Sequence, residues 1–227
     1  MSDQPDTVWR DGRVPVSRRF DDPYYSLEDG LAETRHVFLS GNDLPERFRD
    51  GFRIAELGFG TGLNLLAALA LWRAAGVGGR LIYTSFEAYP LAPAEMVRAQ
   101  AAFPEVAALS AELAPHWGAE RIELPDLDFR LIAGDARATL PDWDGAADAW
   151  FLDGFSPAKN PELWGAELMA EVARHTAPGG TAASYTAAGH VRRALDAGGL
   201  VTTRVPGYGR KRHMTVARKA APGKAIP

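Results

Sequence analysis

Between residues 52 and 206, short apolar runs alternate with segments of helical spacing, and this alternation leaves few folds open to the chain. Strand-like runs are FRIAEL (52–57), LIYTSFEA (81–88), LDFRLIAG (127–134), DAWFLDG (148–154) and GGTAASYT (179–186). Helical spacing falls on LNLLAALALWRAA (63–75), APAEMVRAQAAF (92–103), PELWGAELMAEVARHT (161–176) and GHVRRALDAG (189–198). Strands alternating with helices predict an α/β, Rossmann-like fold: a mostly parallel sheet covered on both faces. The last two runs, LVTTRVP (200–206) and RHMTVARK (212–219), are joined by the tight loop GYGRK, which predicts an antiparallel pair at a C-terminal edge. Residues 1–50 stand outside the alternation and predict an N-terminal extension or lid, with short strands at RVPVS (13–17) and TRHVFL (34–39). Residues 51–219 then form the main domain, and 220–227 a loose tail.

A chain of 227 residues with 46% hydrophobic content suits one such domain. It has no cysteine, which excludes disulfides, thiolate catalysis and cysteine-ligated metals, and no metal site is expected. The opening MSDQPDTVWRDGRVP carries acids and prolines rather than the apolar centre of a signal peptide. No run approaches the roughly 20 apolar residues of a membrane span, so the expectation is a cytoplasmic protein with no membrane partner. Net charge is −4, but its distribution is uneven. Arg10, Arg13, Arg18 and Arg19 cluster near one end, and Arg204, Arg210, Lys211, Arg212, Arg218 and Lys219 near the other. Either cluster alone reads as solvated surface; together they leave room for a phosphate-bearing partner.

In an open α/β sheet, ligands gather at the carboxyl ends of the strands. The first such end reads Glu56-Leu57-Gly58-Phe59-Gly60-Thr61-Gly62. Its glycines allow a tight turn and deliver the backbone to a helix N-terminus, where N–H groups favour a negative group. A nicotinamide dinucleotide site would prefer Gly-x-Gly-x-x-Gly. The spacing here is Gly-x-Gly-x-Gly with an acid two residues ahead, which resembles motif I of class I S-adenosylmethionine methyltransferases. That resemblance gives Glu56 the ammonium of the cofactor's methionine end and the turn its carboxylate. The second strand end carries Glu87, suited to ribose hydroxyls in either cofactor class. The third carries Asp135 and Ala136, which the same pattern places against adenine. Each acid alone reads as a solvated strand terminus; three at successive strand ends read as a cofactor site.

The fourth end is Asp153-Gly154-Phe155-Ser156-Pro157. In related amine-directed methyltransferases a polar residue in a proline-bearing turn holds the target nitrogen here. Methyl transfer moves positive charge towards the attacking nitrogen, and a neighbouring carboxylate stabilises it and orients the lone pair. Asp153 is therefore expected to orient the amine and stabilise charge, beside the cofactor, with Phe155 packed on the cofactor or on a base. A simple alkylamine is largely protonated at neutral pH, with a pKa near ~10, so its proton needs a route away.

Several further segments now matter: FDDPYYS (20–26), GLAETRHVFLSGNDLPERF (30–48), IAELGFGTGLNLL (54–66), SFEAYPL (85–91), GDAR (134–137), FLDGFSPAKNPELW (151–164) and GYGRKRHM (207–214). In this order they resemble the methyltransferase domain family of the bifunctional bacterial tRNA 5-methylaminomethyl-2-thiouridine biosynthesis protein, over about residues 8–218. The resemblance implies a class I S-adenosylmethionine methyltransferase acting on the exocyclic amine of 5-aminomethyl-2-thiouridine at the tRNA wobble position. It implies a tRNA anticodon stem-loop as partner. Two-domain members carry an oxidase domain for which this chain has no length, so a separate enzyme is expected to supply the aminomethyl group. By the same resemblance Tyr24 and Tyr25 close over cofactor and base, although alone they read as core or lid packing. Glu33, Arg35 and Asn42 would line the pocket, or serve as surface ion pairs and turn caps. Asn64 would meet the cofactor's methionine end, or pack the helix. Lys159 would face tRNA, or serve as a polar helix entry; Arg210, Lys211 and Arg212 would contact phosphates and position the anticodon stem-loop without reading bases; His213 reads as structural. The alternatives are a small-molecule amine methyltransferase or aminopropyltransferase, a non-catalytic S-adenosylmethionine-binding RNA module and, weakest, a nicotinamide oxidoreductase.

Overall fold

The structure, a computed structural model, describes residues 7–12, 14–221 and 223. A three-stranded antiparallel sheet comes first: β1 (Thr7–Arg10), β2 (Val14–Ser17) and β3 (Asp22–Pro23). Next come the helix α1 (Gly30–Thr34) and a π-helical turn over Arg35–Leu39. The main sheet is built from β4 (Arg53–Leu57), β5 (Leu81–Glu87), β6 (Arg121–Leu124), β7 (Leu127–Ala133), β8 (Ala147–Leu152), β9 (Thr176–Ser184), β10 (Leu200–Pro206) and β11 (His213–Lys219). Its helices are α2 (Leu63–Ala75), α3 (Pro93–Gln100), α4 (Ala107–Leu113), α5 (Ala136–Thr139), α6 (Ala166–Arg174) and α7 (Gly189–Ala197).

The main sheet has the order β10-β11-β9-β8-β4-β5-β7-β6. Strands β7, β5, β4, β8 and β9 run parallel, while β6, and β11 against both β9 and β10, are antiparallel. This is the class I Rossmann-like methyltransferase fold. From β4 the chain winds outward through β5 and β7, then returns to place β8 on the other side of β4. Connections leaving β4 and β8 in opposite directions open a crevice at their carboxyl ends, where such sheets bind ligands.

Alternating side chains divide the core between the two faces of the sheet. Phe151 packs with Phe38, Tyr83, Phe129 and the α2 residues Leu65, Leu69 and Trp72. Its neighbours Trp150 and Leu152 point the other way, towards Trp164, Leu168, Val172 and Val191. Strand β8 is buried along its whole length because it is central. Its one charge, Asp148, is held by Arg49 at 2.9 Å and Arg53 at 3.0 Å.

Several expectations change here. TRHVFL is helical, not a strand: Asp29 caps α1 by accepting from the Ala32 N–H at 2.9 Å, and Leu31, Thr34, Val37 and Phe38 turn inward at helical spacing. Its β-branched and aromatic residues mimic a strand, but the spacing and the cap prevail. The helix expected over 161–176 begins as a short 3-10 turn, Pro161–Trp164, and becomes α-helix only after Gly165. Helix α4 and strand β6 were not foreseen. The 1–50 segment also divides. Residues 20–28 lie over the carboxyl ends of the strands, whereas Val37, Phe38, Leu39 and Leu44 are part of the core. Arg13 and, in the tail, residues 222 and 224–227 lie outside the described residues.

Candidate active site

The carboxyl ends of β4, β5 and β8, with residues 20–34 above them, enclose a cavity of about 520 Å³. The turn after β4 forms its floor. Gly58 has φ +85°, and a Cβ there would sit 2.9 Å from the Gly154 Cα and 3.0 Å from its nitrogen. The loops following β4 and β8 therefore touch backbone to backbone, which only glycine allows. The Asp153 N–H donates to the Leu57 carbonyl at 3.1 Å, continuing the strand pairing into the crevice. Gly62, also left-handed, starts α2.

Glu56 is wholly buried at the end of β4. Its Oε2 accepts from Ser85 Oγ at 2.7 Å and its Oε1 from Asn64 Nδ2 at 2.8 Å. Burial pushes its carboxyl up to about 8, against the pull of those hydrogen bonds. Asp153 receives a second hydrogen bond from the same Asn64 nitrogen, at 2.8 Å, and another from the Gly154 N–H at 2.8 Å. Burial raises it to about 7. Two carboxylates thus share one amide in a space of low polarity. Such a pair costs free energy until a cation reaches it.

The loop carrying Asp153 is pinned at several points. Tyr185 Oη donates to the Gly154 carbonyl at 2.8 Å, and Trp164 Nε1 to the Phe155 carbonyl at 2.9 Å. The Phe155 ring stacks on Phe20 with centroids 4.6 Å apart and meets Tyr24 edge-on at 5.1 Å. The Ser156 N–H donates to Asp22 at 2.8 Å. Tyr24 also lies against Gly60, and burial pushes its hydroxyl up. Tyr25 meets Phe103 edge-on at 5.1 Å.

Glu87 ends β5, where Oε2 accepts from the Gly60 N–H at 3.0 Å and Oε1 from the Tyr89 N–H at 2.9 Å. Burial raises its carboxyl. Glu87 and Asp153 line the cavity with Phe59, Gly60, Ala136 and Phe155, whereas Glu56 has no exposed surface and does not border it. Asp135 differs. It caps α5 through the Arg137 N–H at 2.9 Å, and the Arg137 guanidinium holds its carboxyl below the usual range. At the third strand end it is Ala136, not the Asp135 side chain, that borders the cavity.

Asn42 is corrected. It is fully buried under the sheet, donating to the Phe38 carbonyl at 2.9 Å and the Trp150 carbonyl at 3.2 Å, and accepting from Thr181 at 2.6 Å. With those polar atoms committed and no place on the cavity wall, it cannot meet substrate. The basic clusters also separate. Arg210 and Lys211 border the cavity, paired with Glu28 at 3.1 Å and Glu33 at 2.7 Å. Arg212 is exposed beside them, and Lys159 pairs with Asp21 at 2.8 Å on the outer surface. Arg218 pairs with Asp43, and Lys219 holds the Ala173 and Thr176 carbonyls at 2.7 and 2.8 Å. Because β11 runs away from the site, those two lie at its far end.

Sequence reading missed Thr34, Ser85 and Tyr185. Their signal was present only as hydroxyls at buried positions, which spacing does not distinguish from core.

The donor set suits S-adenosylmethionine. A glycine cradle reaches a helix N-terminus, a buried acid stands behind it at the end of β4, and a second acid follows at the next strand end. Among the described residues no helix is long and apolar enough to cross a membrane, and no cluster of His, Asp or Glu could hold a metal ion.

A family model described as S-adenosyl-L-methionine-dependent methyltransferase matches residues 104–220. The tRNA 5-methylaminomethyl-2-thiouridine biosynthesis bifunctional protein MnmC of Caulobacter sp. is 48% identical over 96% of this chain and 38% of its own length. The protein of the same name from Pseudomonas fluorescens is 50% identical over 89% of this chain and 33% of its own. This chain thus spans about a third of the curated relatives it matches. The crystal structure of MnmC2 from Aquifex aeolicus superposes with a TM-score of 0.74 at 28% identity, covering 100% of this chain and 74% of that one.

Proposed function

The chain belongs to the S-adenosyl-L-methionine-dependent methyltransferase family, and from that premise we propose that it methylates the aminomethyl nitrogen of a 5-aminomethyl-(2-thio)uridine at the tRNA wobble position. The observation carrying this reading is Asp153, a half-buried carboxylate at the crevice between β4 and β8, beside the glycine turn. The names of the relatives supply the nucleic acid and the modified base.

Bound S-adenosylmethionine supplies an activated methyl group. The Gly58–Gly62 turn would take its carboxylate, and Glu56, behind the cavity wall, would act on its ammonium through Asn64, which stands between the two acids. Glu87 would take ribose hydroxyls, and Ala136, on the Asp135 turn, would offer its backbone to adenine. Asp153 accepts a hydrogen bond from the incoming amine, aims its lone pair and stabilises the positive charge that develops on it. Burial raises this carboxyl, so its anionic form gains from pairing with a cationic amine. Tyr24, Tyr25 and Phe155 close over cofactor and base and exclude water. Arg210, Lys211, Arg212 and Lys159 would meet phosphates of an anticodon stem-loop in the cytoplasm, and residues 20–29 act as a lid.

Two measurements test the reading. Affinity for the anticodon stem-loop should fall steeply with salt, as phosphate contacts release counterions. Label from S-adenosylmethionine should enter RNA and not free alkylamines. Efficient methylation of free amines with salt-independent kinetics would replace it with the small-molecule reading.

A further inference from the structure

An amide side chain has two chemically different ends, and at Asn64 the surroundings decide which end faces where. Asn64 sits in the first turn of α2, buried between α1 and the ends of β4 and β8. Two carboxylates lie on one side of it, and both can only accept when ionised. Its Nδ2 donates to Glu56 Oε1 and to Asp153 Oδ2, each at 2.8 Å. Its Oδ1 accepts from the Thr34 hydroxyl, also at 2.8 Å. Each carboxylate has a donor of its own, Ser85 Oγ for Glu56 and the Gly154 N–H for Asp153. The second fixed donor to each comes from this one NH2 group.

We propose that Thr34 and Asn64 are positioning residues for Asp153: the Thr34 hydroxyl locks the Asn64 amide so that its NH2 group serves both carboxylates, and this lock sets the charge state of the carboxylate at the amine site. The inference rests on the role given to Asp153 above. Thr34 is the last residue of α1, which follows directly from the segment over the site, so the lock also ties the position of that helix to the reacting carboxylate.

Without the hydroxyl, nothing holds the amide oxygen, and the NH2 group turns away from one or both acids. A carboxylate that loses a donor to its charged form ionises less readily. The other charged and titratable groups facing Asp153 are Glu33 on α1, Glu56 on β4, Tyr83 on β5, Tyr185 after β9 and Lys211 before β11. A change at Thr34 removes none of these groups.

The test follows the carboxyl itself, in cofactor-free protein carrying carbon-13 at aspartate carboxyls. The Asp153 resonance is identified by its loss in Asp153→Asn and titrated by NMR. Thr34→Val should move the midpoint up by about one pH unit, roughly the weight of one hydrogen bond to a charged acceptor. Thr34→Ser should restore it. Should Thr34→Val not fold, Thr34→Ala must produce the same upward move. The acid limb of kcat/KM should move with the midpoint. A midpoint that stays at the wild-type value in folded Thr34→Val or Thr34→Ala overturns the lock. A midpoint that moves while the kcat/KM limb stays leaves the lock standing and overturns the assignment of Asp153 to the amine.

Discussion

At the scale of single residues, the site depends on two glycines that touch and two acids that share an amide. Gly58 combines a left-handed backbone with contact to Gly154, so Gly58→Ala meets both objections at once. We expect it to cost about 1–3 kcal/mol of stability. Calorimetry should also find weaker S-adenosylmethionine binding, because the shifted turn carries the cradle with it. Unchanged binding would show that the turn does not touch the cofactor. Asp153→Ala acts differently. It removes the group proposed to hold the amine but leaves the Gly58–Gly62 turn, Glu56 and Glu87 intact. Cofactor affinity should stay within about threefold while turnover falls by about 100-fold or more, the order seen when one preorganised electrostatic group is deleted. Normal turnover would remove Asp153 from the chemistry.

At the scale of elements, the segment joining α1 to β4 is fastened to the sheet rather than draped over it. Asn42 and Arg47 make this fastening: Arg47 donates to the Asn42 carbonyl at 3.0 Å and the Asp148 carbonyl at 2.9 Å. Asn42→Ala removes the acceptor of the Thr181 hydroxyl and the side-chain donor to the Trp150 carbonyl. It should lower stability by about 1–3 kcal/mol, read by denaturant melts, with cofactor affinity unchanged. A loss of RNA affinity in the folded variant would restore the substrate role that its burial denies. The same segment marks where sequence stopped being legible. The alternation from β4 to β9, the glycine turn and the acids at the strand ends could be read because periodicity and strand-end position are local signals. TRHVFL could not, since the residue types of a buried helical turn match those of a strand, and only the Asp29 cap and the spacing of Leu31, Thr34 and Phe38 distinguish them. Asp135 was legible as a strand-end acid, but its pairing with Arg137 depends on side-chain direction, which sequence does not carry. The split of the C-terminal basic cluster depends on strand direction, visible only once β11 is placed.

At the scale of the whole molecule, burying Glu56 and Asp153 makes stability depend on pH. Both carboxyls are raised above their unfolded values, to about 8 and about 7. Between those unfolded values and these, the folded chain holds more protons than the unfolded one, so stability falls as pH rises. The melting temperature of cofactor-free protein should therefore drop by several degrees from about pH 5 to about pH 9. A rise over that range would mean that these acids are ionised at little cost. The sheet, the roof of residues 20–28 and the basic loop before β11 meet over one cavity, and the proposed activity needs all three. Its most direct measurement is nucleoside mass spectrometry of tRNA bearing 5-aminomethyluridine at the wobble position, after incubation with the protein and S-adenosylmethionine, beside unmodified tRNA. The predicted result is one added methyl group on the 5-aminomethyl nucleoside and none on unmodified tRNA. An unmethylated 5-aminomethyl nucleoside, under conditions where the protein binds S-adenosylmethionine, would contradict it.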